Sequence, residues 1–284
     1  RDHRDRLVRR TAIGLLPKIA GFSPDRFVLS YLPDCMHHLL GVLKKGEDKP
    51  AALSAVSELA AGLRPADKLL EAFSPYLGEV AAVVREVTGK KRSKSDASGV
   101  HEAALGCVGS LATALGGAWE PHARSLLPTL FSGPLTQPLV DSLAAVASAL
   151  PSLESAVQRH LLESLTQALT RNPYVVDPAK DVTADKQRVS LALRTLGSFS
   201  LQPEQLLSLL RDHAVRYLGD DDPEVRREAA LTCVRLVERR GRAVQASGRS
   251  TRAAVQEVVE RLLGAGVADV DVNVRRAGLT ALLP

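Results

Sequence analysis

Along the whole chain apolar residues recur three or four positions apart, with polar residues between them. In the stretch from Pro223 to Val237, Val225, Ala229, Cys233, Leu236 and Val237 fall on one face at i, i+4, i+8, i+11 and i+12. Arg226, Arg227, Glu228 and Arg235 fall outside that stripe. No stretch alternates apolar and polar as a half-buried strand does. The spacing, with Gly and Pro as punctuation, predicts about thirteen helices. They cover residues 5–20, 24–45, 47–63, 65–88, 100–116, 118–132, 135–150, 151–171, 185–199, 203–218, 223–240, 250–266 and 271–283. Prolines 24, 65, 173, 203 and 223 fall near predicted starts, where the missing N–H is one the first turn leaves unpaired anyway. Pro33, Pro75 and Pro128 lie inside predicted helices and are expected to kink or break them.

Pairing neighbouring helices gives about 6.5 helical hairpins, and 284 residues shared among them is about 44 each. That period, with short turns, predicts an all-α fold: an α-solenoid of HEAT type, a superhelix of antiparallel helix pairs, with residues 1–284 as a single array. A short motif recurs with the period. Val-Arg-Arg stands at 8–10, 225–227 and 274–276, each time ahead of small and aliphatic residues. Asp220 precedes Arg226 by six positions, and Asp269 precedes Arg275 by six. An Asp in the turn and an Arg early in the second helix resemble the HEAT ladder, in which charge-assisted bonds tie successive repeats. Asp220, Arg226, Asp269 and Arg275 are therefore the expected ladder. Val8, Val225 and Val274 are the expected helix anchors. The first copy departs from the pattern: six before Arg9 stands His3, flanked by Asp2 and Asp5.

Composition agrees with close helix packing. Aromatics are only 4%, so the core must be built from Leu, Val and Ala. The net charge of +5 invites a nucleic-acid partner, but Lys90, Lys91, Arg92 and Lys94 supply most of it. Taking those four from 37 basic residues leaves 33 against 32 acidic, or +1, too little for a phosphate track. The loop Gly89–Gly99 has the composition of a solvated linker; with Lys90, Lys91, Arg92, Ser93, Lys94 and Ser95 it is a candidate partner-contact or phosphorylation site. Three widely spaced cysteines argue for a reducing compartment rather than a disulfide framework. No apolar run approaches the ~18 residues of a membrane span. The N-terminus lacks the apolar core of a signal peptide, and the lone Met36 suggests an excerpt of a longer protein.

Catalytic signatures are weak. His3-Arg4-Asp5 spells the HRD of kinase catalytic loops, but Arg10 stands where the partner Asn belongs, and no DFG or Gly-rich phosphate loop accompanies it. Cys35, His37 and His38 lack the second pair that a tetrahedral metal set needs. Asp220, Asp221 and Asp222 crowd a turn before a helix, where the helix dipole favours them. The expectation is no catalytic residue, cofactor or metal in this segment.

Several stretches are more specific than the repeat. Leu7–Pro24, Ser30–Lys45, Ser190–Ser200 and Glu224–Val237 resemble, in order, the N-terminal HEAT region of the target of rapamycin (TOR) kinases, within the phosphatidylinositol-3-kinase-related family. The resemblance weakens at 46–97 and 174–185. It implies a scaffold segment of a serine/threonine kinase whose ATP- and Mg-dependent domain lies elsewhere in the parent. It also implies protein partners: a large substrate-recruiting subunit and a second TOR protomer. No direct nucleic acid is expected. The implied setting is cytoplasmic, at lysosomal or vacuolar surfaces through the complex. The rival reading is a free-standing HEAT adaptor of the transport-receptor or phosphatase-scaffold type.

Overall fold

The computed structural model describes residues 5–45, 48–64, 66, 68–89, 99–170, 182–199, 213–241 and 249–280. Among the described residues there are thirteen α-helices and no strand. They are α1 (Arg6–Ala20), α2 (Pro24–Ser30), α3 (Leu32–Lys45), α4 (Lys49–Gly62), α5 (Leu69–Gly89), α6 (Val100–Leu115), α7 (Glu120–Phe131), α8 (Gln137–Ala149), α9 (Pro151–Thr170), α10 (Val182–Ser198), α11 (Pro223–Gly241), α12 (Arg249–Leu262) and α13 (Val272–Thr280). The chain divides into two compact units, Arg1–Val157 and Gln158–Pro284.

In the first unit alternate helices stack on one another. α1, α4, α6 and α8 form one layer, and α3, α5 and α7 the other. Within a layer the helices run in the same direction. His37 meets Tyr76 edge to face at 5.8 Å, and two turns further along α3 and one turn further along α5 Lys44 Nζ reaches Glu79 at 2.8 Å. The sequence explains the layering. α4 buries Ala52, Leu53, Ala55, Val56, Ser57, Leu59 and Ala60, and a helix apolar nearly all round must be covered on both sides. Each fully buried Leu or Val there contributes roughly 1.5–3 kcal/mol over exposure. α6 and α8 come unusually close: a Cβ at Gly109 would stand 3.1 Å from Ala145 Cβ and 3.2 Å from Ser142 Cα. The loop 89–99 has only Gly89 and Gly99 among the described residues; Lys90, Lys91, Arg92, Ser93, Lys94 and Ser95 lie outside them.

In the second unit α11 is the central helix, packed on α10 and on α13. Gly197 lets α10 approach α11 at Thr232, whose hydroxyl donates to the Leu193 carbonyl at 2.8 Å. A 3-10 turn, Ala214–Gly219, also packs on α11, and Tyr217 Oη donates to the Leu169 carbonyl at 2.9 Å.

Four expectations need correction. Of the helix expected over 203–218, residues 203–212 lie outside the described residues and the described end is the 3-10 turn Ala214–Gly219. Residues 24–45 form two helices rather than one: α2 stops at Ser30 and α3 begins at Leu32 with Pro33 in its first turn. That is the break Pro33 is expected to allow, whereas α5 and α7 run on without a break through Pro75 and Pro128. The helix expected over 250–266 ends at Leu262 and gives way to a π-helical segment, Leu263–Val267. Val8 is not a buried anchor: it is 45% exposed, whereas Val225 and Val274 are 2% and 1% exposed. The reason is register. Val225, Thr232 and Leu236 lie on the face of α11 that meets α10, and all three are buried. Val8, Leu15 and Ile19 occupy the same spacing on α1. There the opposite face, with Ile13, Pro17 and Ala20, is the buried one, and α4 is the helix that α1 packs against. Leu15 and Ile19 are accordingly exposed as well.

Candidate functional site: an arginine–aspartate ladder

In the second unit the turn Asp220–Pro223 and the turn Asp269–Val272 are built alike. Asp220 Oδ1 accepts from the Asp222 N–H at 2.9 Å, and Asp269 Oδ1 accepts from the Asp271 N–H at 2.8 Å. Asp222 and Asp271 then cap the following helices, accepting from the N–H groups of Glu224 at 2.9 Å and Asn273 at 2.7 Å. Each turn is closed from behind by an arginine of its own helix. Arg226 Nη1 donates to the carbonyls of Asp220 and Asp221 at 2.8 and 3.1 Å, and Arg275 Nη1 donates to those of Asp269 and Val270 at 2.8 and 3.0 Å.

The same Arg226 guanidinium also reaches forward. Its Nε donates to Asp269 Oδ2 at 2.7 Å and its Nη2 to Asp269 Oδ1 at 3.0 Å, a planar two-point grip across 43 residues of chain. The side chains are 13% and 6% exposed. The hydrogen bonds from Arg226 outweigh the cost of burial, holding the Asp269 carboxyl below the usual aspartate range and raising the guanidinium's pKa. The rung therefore differs from the pairing written into the motif. Asp220 does not meet Arg226 through its carboxylate, nor Asp269 meet Arg275; within a turn the arginine takes carbonyls, and the carboxylate belongs to the arginine one repeat earlier. One repeat back, Lys186 Nζ donates to Asp222 Oδ2 at 3.0 Å, and that bond keeps the Asp222 carboxyl deprotonated to lower pH.

The first unit carries a rung that sequence reading missed. Asp48, 2% exposed, stands at the start of α4 and receives Arg9 Nε on Oδ2 at 3.0 Å and Arg10 Nε on Oδ1 at 2.9 Å. Arg6 lies further off at 3.5 Å. Burial pushes this carboxyl up, but the hydrogen bonds from Arg10 and Arg9 win and its pKa is lowered. The signal was present: Asp48 follows Arg9 by 39 positions and precedes a Lys-Pro helix start, as Asp269 follows Arg226 and precedes α13. The partner of Arg9 lies one period downstream, not upstream in its own turn.

The remaining candidates are absorbed structurally. Asp5 of the HRD triplet caps α1, accepting from the Leu7 N–H at 2.8 Å; His3 and Arg4 lie outside the described residues. His37 Nδ1 sits 2.8 Å from the Pro33 carbonyl oxygen, and no group of His, Cys, Asp or Glu among the described residues has the geometry to hold a metal. Burial pushes the Cys107 and Cys233 thiols to about 11 and about 12, which removes them as nucleophiles at neutral pH. No helix among the described residues is long and apolar enough to cross a membrane. What the site does chemically is tie one helical repeat to the next at a set spacing and rotation.

The chain is 35% identical to the serine/threonine-protein kinase TOR of Arabidopsis thaliana over 99% of its own length and 12% of that protein. It is 35% identical to the serine/threonine-protein kinase TOR of Oryza sativa subsp. japonica over 79% of this chain and 9% of that one. With the serine/threonine-protein kinase tor1 of Schizosaccharomyces pombe it shares 30% identity over 99% of this chain and 12% of the relative. The chain thus spans about an eighth of the length of the curated relatives it matches most fully. No protein-family model matches it. Among solved structures, one engineered protein aligns over 87% of this chain and 94% of its own at 20% identity, with a TM-score of 0.47. Another aligns over 99% and 65% at 16% identity, also with a TM-score of 0.47.

Proposed function

We propose, on the premise that this chain is homologous to a segment of the TOR serine/threonine kinases, that it is part of the N-terminal helical platform of such a kinase and holds partners rather than performing chemistry. The observation that carries the reading is the match over nearly the whole chain to a small part of two long relatives. The ladder supports it, because each rung joins residues about one repeat apart, 39 in one case and 43 in the other, as a stacked array needs. The Val8–Leu15–Ile19 face adds to it: it repeats the register by which α11 meets the helix before it, so it is shaped to receive another repeat.

In this reading the platform contributes to assembly and dimerisation of the TOR complexes that couple nutrient signals to growth. Its partners are a large substrate-recruiting subunit and a second TOR protomer, in the cytoplasm at lysosomal or vacuolar surfaces. ATP and Mg are handled by a kinase domain elsewhere in the parent. The test is an antibody against residues 185–284 used on a whole-cell lysate. A band far above 30.4 kDa with kinase activity in its immunoprecipitate is the expected result. A band near 30 kDa without kinase activity overturns the reading and leaves a stand-alone HEAT adaptor.

A further inference from the structure

Cations that reach about one repeat along this chain end on carboxylates. Arg9 and Arg10 meet Asp48, Lys44 meets Glu79, Lys49 meets Glu86, Lys186 meets Asp222, Arg194 meets Glu228 and Arg226 meets Asp269. The hydrogen-bonded pairs among them span 34 to 43 residues. Arg85 breaks the pattern. From α5 its Nη2 donates to Ser125 Oγ of α7 at 2.8 Å across 40 residues, and no carboxylate among the described residues pairs with it. A neutral hydroxyl thus stands where this chain otherwise places an acid. Arg85 holds Ser125 at one point, whereas Arg226 holds Asp269 at two.

A second observation concerns access. Ser125 and Arg85 are both exposed. Ser125 lies one turn before Pro128, through which α7 runs. Proline has no N–H, so the Arg124 carbonyl loses the helical hydrogen bond it would accept from four residues on. The turn carrying Ser125 is therefore held by fewer bonds than the rest of α7 and opens at lower cost. Ser125 Oγ itself donates to the His122 carbonyl at 2.8 Å, a bond that opening releases. The other charges nearby are engaged: Arg124 is held by Glu120 at 2.8 Å, and Glu86 lies 3.9 Å from Lys49. Arg85 is the cation that faces Ser125.

We propose that Ser125 is a phosphorylation site, at which the added phosphate supplies the acid missing from this rung. The donor is a nucleoside triphosphate bound by a protein kinase that acts on this chain. Ser125 Oγ attacks the γ-phosphorus as its proton passes to that kinase's catalytic base. The new Oγ–P bond replaces the P–O bond to the nucleoside diphosphate, which leaves. The product carries a charge of about −1.5 to −2 at neutral pH and three acceptor oxygens. The planar Arg85 fork takes two of those oxygens, and a one-point contact becomes a charge-assisted grip. Phosphorylation then ties α7 to α5 as Arg226 ties α11 to the turn before α13. The site does not depend on this chain's own assignment to the TOR kinases.

The experiment has two readouts. Protein purified from the cells that make it is digested with chymotrypsin, and tandem mass spectrometry looks for phosphate on Ser125. In parallel the 284-residue chain is made with phosphoserine encoded at position 125 and titrated by phosphorus NMR, with and without Arg85→Met. Expected are a phosphorylated Ser125 in the cellular protein and a phosphate that titrates at least about half a unit below the value near 6 of an unpaired phosphoserine. Arg85→Met should return it to that value. Arg85→Lys should return it part of the way, since lysine keeps the charge and lacks the fork. Position 85 is exposed, so these variants fold. Full coverage of Ser125 in the cellular protein without phosphate overturns the proposal. So does a phosphate whose titration ignores Arg85→Met, because the modification would then complete no rung.

Discussion

Replacing Arg226 with Met removes, in one step, the two-point grip on Asp269 and the two bonds to the carbonyls of Asp220 and Asp221. The pair is nearly buried, so solvent screening discounts little of it. Breaking a buried pair by deleting one partner costs about 3–5 kcal/mol, because the remaining charge is stranded. Asp269 is not wholly stranded, since the Asp271 N–H still donates to it at 2.8 Å. The low end, about 3 kcal/mol, is therefore expected for Arg226→Met. Arg226→Lys keeps the charge but loses the fork and should cost about 1–2 kcal/mol. The assay is urea unfolding of the 284-residue chain followed by far-UV CD, run as a double-mutant cycle with Asp269→Asn. The expected coupling is about 2 kcal/mol. The pH dependence follows from the lowered carboxyl. A depressed Asp269 contributes stability that is present above the ordinary aspartate value, near 3.9, and is lost as pH falls through its lower folded value. Wild type and Arg226→Met should therefore converge at acid pH. Single variants costing under about 0.5 kcal/mol each and adding without coupling would refute the ladder as a stabilising element.

Val225→Asp should cost more than about 3 kcal/mol by burying an unpaired charge, while Val8→Asp, on an exposed position, should cost under about 0.5 kcal/mol; equal melting temperatures for the two would contradict the register assigned to α1. Gly109→Ala should destabilise by about 1–3 kcal/mol through the 3.1 Å clash with Ala145, and a gain in stability there would mean α6 and α8 sit further apart. Cys107 and Cys233, with thiols raised to about 11 and about 12, should resist Ellman's reagent at pH 8 in the folded chain and react in urea; rapid labelling of either without denaturant refutes their burial.

Much of the fold was legible because the signals involved are local. The i, i+4 stripe of Val225, Ala229 and Cys233 is a property of one helix, and a proline such as Pro223 marks a first turn whatever surrounds it. The Val-Arg-Arg repeat likewise pointed to residues that do form a rung, Arg226 and Asp269. Tyr31 was harder, since nothing in the periodicity of 24–45 distinguishes a helix that tolerates Pro33 from one that restarts there, whereas α1, α5 and α7 run through Pro17, Pro75 and Pro128.

The sequence by itself determined that this chain is helical, how long its repeats are, and which face of each helix is apolar, because those follow from hydrogen bonds and side-chain spacing within a few residues. The tertiary structure alone decided which partner each charge takes and which apolar face is covered. Arg9 and Arg10 converge on Asp48, 39 and 38 residues away, and Val8 stays exposed while Val225, in the same tripeptide, is buried. Those outcomes depend on how one repeat rotates against the next, and that rotation is set by packing between helices far apart in the chain, as where Gly109 meets Ala145 and Gly197 meets Thr232.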